Sequence, residues 1–304
     1  MIYRKYPPAW TLALFVTLGF LAGCNTSPES SKATATLGGG IAPVTTLVKR
    51  IAGEDVDVQT LIPPGRNPHT FEPTPRQIQE FGKVRVYFSV GFPFEKLLIE
   101  KIASHGQVKV VDIASDVRRE LDTSHEHEHE HEHGSNCGCV DGNVDPHVWL
   151  SPKTLRQLAL NIQKTLDEAD PAGKAARQER CDALCRELDE LDKKLTEQLK
   201  PYRGRTVYVF HPSLGYFCEA YGLKQKAIEA GGHTQSLQWL NTIAQKADEE
   251  GVRTIFVQKQ FDQRAAKIVA DAIQGEIVVI DPLAPDVIAN LQHIADVIVR
   301  AEKR

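Results

Sequence analysis

Four residues able to hold a metal ion stand directly beside a proline: Pro68-His69, Pro146-His147, His211-Pro212 and Asp281-Pro282. Proline fixes its own φ and restricts its neighbour, so each of these side chains leaves a stiffened backbone. His211 and Asp281 follow apolar runs at 205–210 and 276–280, whose β-branched content marks buried parallel strands. Both then fall at carboxyl ends of strands, the edge where open α/β sheets bind ligands. Three imidazoles and a carboxylate make a closed, four-coordinate set suited to zinc that leaves no position for a catalytic water. The expected chemistry is capture of an ion, not catalysis.

The elements that must position these ligands follow from periodicity. From residue 41 a helical stretch (41–51) precedes a strand (56–62), a short helix (74–81), a strand (84–90), a helix after Pro93 and a strand (108–113). Ser151-Pro152 opens a helix to about residue 167, and a second, long helix after Asp170-Pro171 carries Leu184, Leu188, Leu191, Leu195 and Leu199 on one stripe. The rhythm then repeats: strands at 205–210, 223–228, 253–257 and 276–280 alternate with helices at 214–221, 237–250, 262–273 and 285–301. The expected fold class is therefore α/β, with two β/α lobes of parallel sheets joined by one long rigid helix. The domain plan is a leader (1–23), a tether (24–40), an N-terminal lobe (41–168), the linking helix (169–200) and a C-terminal lobe (201–304). A rod of this kind permits small tilts and opposes a wide hinge.

The leader combines Arg4 and Lys5 with an apolar stretch from residue 10 to 22 and the tetrapeptide Leu21-Ala22-Gly23-Cys24. That is a secretory signal, too short for a confident membrane span. Its end resembles the lipobox of bacterial lipoproteins, which implies that Cys24 becomes a lipid-bearing N-terminus at the extracytoplasmic face of the envelope. The Ser, Thr, Pro and Gly content of 25–40 reads as a tether. The net charge of −4 is spread along the chain, so no basic cluster points to nucleic acid. Six cysteines, one of them Cys24, leave an odd number, and a bond between Cys181 and Cys185 on one helix face would be strained, so no disulfide framework is indicated.

Each proline-flanked ligand taken alone is a weak signal, because a lone loop histidine is usually just solvated and His211 or Asp281 reads equally well as a cap or turn residue. Taken together, Pro63-Pro64-Gly65 with Pro68-His69 and Phe71-Glu72-Pro73, the segment Asp145-Pro146-His147-Val148-Trp149-Leu150-Ser151-Pro152, His211-Pro212 and Ile280-Asp281-Pro282-Leu283 change the reading. The chain resembles the zinc and manganese solute-binding lipoproteins of bacterial ABC importers, from the lipobox to the last helix. The resemblance implies that His69 and His147 come from the first lobe, that His211 and Asp281 come from the second, and that the metal lies in the cleft between. It also implies a monomer that delivers its ion to a membrane permease powered by a separate ATPase. One departure stands out: many relatives carry Glu-Pro-Gln where this chain has Gln258-Lys259-Gln260-Phe261, which leaves a cleft-lining role for Gln258 or Gln260 open. Manganese members resemble a pattern of two histidines and two carboxylates, whereas the third ligand here is His211; imidazole-rich sites favour zinc. Because a histidine must be neutral to bind, affinity should fall as the pH drops toward the imidazole pKa of about 6.5.

A run of alternating histidine and glutamate contains His125, His127, His129, His131 and His133 and precedes Cys137-Gly138-Cys139. It has no apolar face and reads as a solvated loop, either passive or able to hold divalent ions weakly, with Cys137 and Cys139 as further thiolate ligands if reduced. The resemblance adds that zinc members commonly carry long His-rich loops. Three rivals stay open at this level: a manganese or iron receptor of the same family, a zinc-buffering surface adhesin, and a zinc hydrolase with Glu72 or Glu219 as base. No His-Glu-x-x-His element supports the hydrolase.

Overall fold

The computed structural model describes residues 36–105, 108–117, 144–229 and 236–303. The first lobe contains β1 (Leu37–Gly39), α1 (Ala42–Ala52), β2 (Val58–Thr60), α2 (Pro75–Phe81), β3 (Val86–Ser89), α3 (Pro93–His105) and β4 (Lys109–Asp112). Its strands run parallel in the order β2-β1-β3-β4. The second lobe contains β5 (Thr206–Val209), α6 (Gly215–Tyr221), β6 (Lys224–Ala227), α7 (Leu237–Glu249), β7 (Thr254–Gln258), α8 (Arg264–Ala272), β8 (Glu276–Ile280) and α9 (Val287–Glu302). It repeats the same parallel order as β6-β5-β7-β8. The expected α/β class with two parallel sheets is what the chain adopts.

Between the lobes lie α4 (Pro152–Ala169) and α5 (Lys174–Leu199). The expected leucine stripe of α5 is buried from Leu184 to Leu199, and Cys181 and Cys185 extend it as free thiols. Helix α5 packs against α4, α1 and α9, so elements of both lobes rest on it. One continuous apolar core consequently runs from the first sheet through α5 to one face of the second sheet. A smaller core formed by α7, α8 and the strand faces beneath them fills the far side. Moving one lobe widely against the other would tear this shared core, at a cost proportional to the apolar area exposed.

One boundary differs from the sequence expectation. The segment 24–40, read as a tether, contributes β1, which pairs with β2 on one side and β3 on the other. Its glycines are there because neighbours press on the backbone. A Cβ on Gly38 would meet the Phe81 ring at 3.1 Å, one on Gly39 would meet Thr45 Cγ2 at 3.0 Å, and one on Gly40 would meet Phe94 Cζ at 2.8 Å. Glycine richness thus signals close packing here, the alternative meaning of glycine in a strand. The leader and residues 24–35 lie outside the described residues.

Candidate metal centre

His69 sits in a single 3-10 turn, Pro68–Thr70, whose entry is fixed by Asn67: its side-chain oxygen accepts the His69 backbone N–H at 2.9 Å. Pro68 starts the turn, so the proline beside the ligand sets the backbone as expected. His147 lies in a tight turn in which Val148 N–H donates to Pro146 and Leu150 N–H donates to His147. The fully buried Asp145 carboxylate accepts the His147 backbone N–H at 3.0 Å and lies 2.7 Å from its Nδ1. His211 follows β5 and is clamped by Gln258 at the end of β7. The Gln258 side chain accepts the His211 N–H at 3.0 Å and donates to the His211 carbonyl at 2.6 Å and to Ser213 Oγ at 2.9 Å. Since β6 and β7 flank β5 on opposite sides, His211 stands where the chain's path across the sheet reverses, the usual ligand crevice of such sheets.

The three imidazoles converge. One nitrogen from each of His69, His147 and His211 lies within 4.8 Å of the others. The Nε2 atoms of His69 and His147 are 3.3 Å apart. A tetrahedral zinc ion with bonds of about 2.0–2.1 Å would hold two nitrogens about 3.3–3.4 Å apart, so this pair is already at ligand spacing. The His211 Nε2 is buried with no hydrogen-bond partner, a vacancy in the polar bookkeeping that a cation satisfies.

Orientation comes from behind the rings. His211 Nδ1 is 2.7 Å from Glu229 Oε2, matching the Asp145 contact of His147. A carboxylate only accepts, so a neutral imidazole carries its proton on Nδ1 in both residues and presents the Nε2 lone pair to the cavity. This carboxylate-to-histidine bracing is the usual support of a metal ligand. Burial depresses the His69 pKa well below that of a free imidazole, and any positive charge on His211 or His147 depresses it further. Burial also lowers His211, outweighing the opposing pull of Glu229. Both rings are thereby kept neutral, as binding requires.

The cavity is about 20 Å³, room for one ion or water and not for an organic solute. Phe92, Trp149, Phe261, Pro282 and Leu283 supply an apolar wall. Phe261 stacks on His211 with centroids 4.7 Å apart, and the Phe92 edge meets the His69 ring at 5.2 Å. Two buried hydrogen bonds cross between the lobes beside the site: Trp149 Nε1–H donates to the Pro282 carbonyl at 2.7 Å, and Tyr216 Oη–H donates to the Asp145 carbonyl at 3.0 Å.

Asp281, expected as the fourth ligand, is not part of the convergent group. Its Oδ1 accepts from Gln260 Nε2 at 2.6 Å and from the Leu283 N–H at 3.1 Å, and its Oδ2 lies 3.7 Å from Lys259 Nζ. His125, His127, His129, His131, His133, Cys137, Cys139 and Cys24 lie outside the described residues, as does His233. His293 is exposed on α9. The bracing residues Asp145, Glu229 and Gln258 were not assigned by sequence reasoning. Asp145 had a signal, an aspartate two residues before the ligand. Glu229 had none until the register was known: Val209 pairs with Ala227, which puts His211 opposite Glu229 two residues further on.

A model of the family described as ZnuA, zinc-uptake complex component A periplasmic, matches residues 40–301. The chain belongs to this family. It is an extracytoplasmic solute-binding protein that takes up a metal ion, zinc or manganese, for an ABC transporter, and it is not an enzyme. It is 28% identical over 258 residues to a putative metal-binding protein of Chlamydia trachomatis, covering 84% of this chain and 87% of that one. It is 26% identical to the manganese ABC transporter substrate-binding lipoprotein PsaA of Streptococcus anginosus, over 85% of this chain and 84% of that one. The crystal structure of ZnuA superposes with a TM-score of 0.78 at 30% identity, over 88% of this chain and 99% of that chain.

Proposed function

We propose that the cargo is zinc, held by His69, His147 and His211 and passed to a permease driven by a separate ATPase. The observation that carries this reading is the convergence of three imidazole nitrogens within 4.8 Å, in a cavity sized for one ion. Nitrogen donors of this softness favour zinc over manganese, which prefers carboxylate and water oxygens. Asp281 is the candidate fourth ligand, with its carboxylate held by Gln260 and facing Lys259. The family description names zinc uptake, which supports the choice, while a relative named for manganese keeps the second reading in play. Competition between the two metals decides: zinc should bind one per chain and displace manganese completely at equal concentration. Preferential retention of manganese would overturn the assignment.

Two further roles belong to the same reading. Cys24 carries the lipid that holds the protein at the envelope, and the His-Glu run from His125 to His133 gathers zinc weakly and in several arrangements. Deleting residues 125–133 should leave the tight stoichiometric site intact; near-complete loss of tight binding would favour a buffering role centred on that run.

A further inference from the structure

Asp281 follows β8 at the strand edge that also supplies His211, yet its carboxylate is not in the convergent group of imidazoles and is held by other partners. Its backbone is pinned, the carbonyl accepting Asn290 Nδ2 at 2.9 Å, so only the side chain is free to change partner. Oδ1 has both lone pairs committed, to the short Gln260 amide bond and to the Leu283 N–H. Oδ2 faces the Lys259 ammonium at 3.7 Å. Gln260 itself lines the cavity, so the amide that occupies Asp281 stands at the site wall.

We propose that Gln260 and Lys259 form a latch on Asp281 that sets the metal selectivity of the site. The inference rests on reading the imidazole triad as the metal site. Three neutral imidazoles bring no charge into direct contact with an ion, and Asp145 and Glu229 act one bond removed. A borderline-soft cation such as zinc is well served by nitrogen alone. A harder cation such as manganese depends on a carboxylate oxygen in direct contact, and that oxygen is withheld here. Recruiting Asp281 means breaking a hydrogen bond to a charged acceptor and drawing the Lys259 cation toward a divalent cation, two costs that fall on any ion needing that oxygen. The sequence departure at Gln258-Lys259-Gln260 thereby acquires a function: the first glutamine holds the His211 backbone, and the next two residues hold Asp281.

The test is a metal-affinity comparison of the wild-type protein with the double variant Lys259→Met/Gln260→Leu. Manganese affinity is read by electron paramagnetic resonance of the free ion, and zinc affinity by competition with a chromophoric chelator. The latch predicts that manganese affinity rises about tenfold, with a smaller change for zinc, since a hydrogen bond to a charged group is the main restraint removed. Adding Asp281→Asn to the double variant should return manganese affinity to the wild-type level. Unchanged manganese affinity in a double variant whose circular dichroism is native overturns the proposal, as does a gain that survives Asp281→Asn. The single variant Lys259→Met changes an exposed side chain and guards against misfolding; it should give about a threefold gain from removal of the charge alone, and no gain counts against the latch. His147→Ala separates the two levels of inference: zinc binding unaffected by that change removes the triad itself, whereas a failed latch leaves triad-dependent zinc binding in place.

Discussion

The two lobes share one strand order but use it differently. In the second lobe the position just beyond β5, at the switch in strand order, carries the ligand His211. Counted two residues past the strand end, as His211 is, the corresponding position beyond β1 is Ile41, an apolar side chain fully buried in the core. Gln258 ends β7 and Gln260 stands beyond it, and these hold His211 and Asp281; beyond β3 stands Phe92, which walls the cavity. The loop preceding Phe92 is held by the buried Glu95 carboxylate, which accepts from Ser89 Oγ and the N–H groups of Val90, Gly91 and Phe92 at 2.7–3.1 Å. The first lobe has filled its own crevice and sends its ligands from longer segments, the turn at His69 and the turn at His147. A shared topology therefore supplies a place for chemistry, and the side chains at the switch decide whether it is used.

This contrast can be attacked directly. The largest effect should come from the ligands themselves: His147→Ala or His211→Ala should weaken zinc binding by more than about a hundredfold, exceeding the loss of any bracing residue. Calorimetry with a native melting profile in both variants checks this. Next, Glu229→Gln and Asp145→Asn should each weaken binding by about 10–100-fold without altering the number of bound ions, because they release a ring and not a donor. Equal affinities for wild type and Glu229→Gln would make the second-lobe bracing irrelevant.

A smaller effect is expected at the interlobe hydrogen bonds. Trp149→Phe and Tyr216→Phe each leave a buried carbonyl without its donor, which costs about 1–3 kcal/mol and should lower Tm while speeding zinc release to a chelator. The smallest and most graded is pH. His69 and His211 have pKa values below the free imidazole value of about 6.5. A histidine kept neutral by burial contributes stability that is complete above that value and is lost as the pH falls toward its depressed folded pKa. Zinc affinity should follow the same sign, declining as the solution is made acidic, which a chelator titration series from neutral to acid pH would reveal.

Much of this was legible in the sequence. Apolar β-branched runs and helical spacing located the two runs of alternating elements, and the proline neighbours singled out the three histidines that converge. Glycines 38 to 40 misled, because a backbone that needs room beside Phe81, Thr45 and Phe94 has the same composition as a flexible tether. Glu229 was hidden for another reason: nothing local marks it, and only the parallel register between β5 and β6 brings it to His211. For Asp281 the strand-end position was readable, but its partners Gln260 and Lys259 come from the neighbouring strand end, which no spacing along the chain discloses.

Anomalous diffraction at the zinc edge from crystals of the stoichiometrically loaded protein tests the central claim most directly. The account predicts one dominant peak about 2.0–2.1 Å from the Nε2 atoms of His69, His147 and His211 together. A dominant peak bonded to fewer than three of these nitrogens, or lying elsewhere in the molecule, would contradict it.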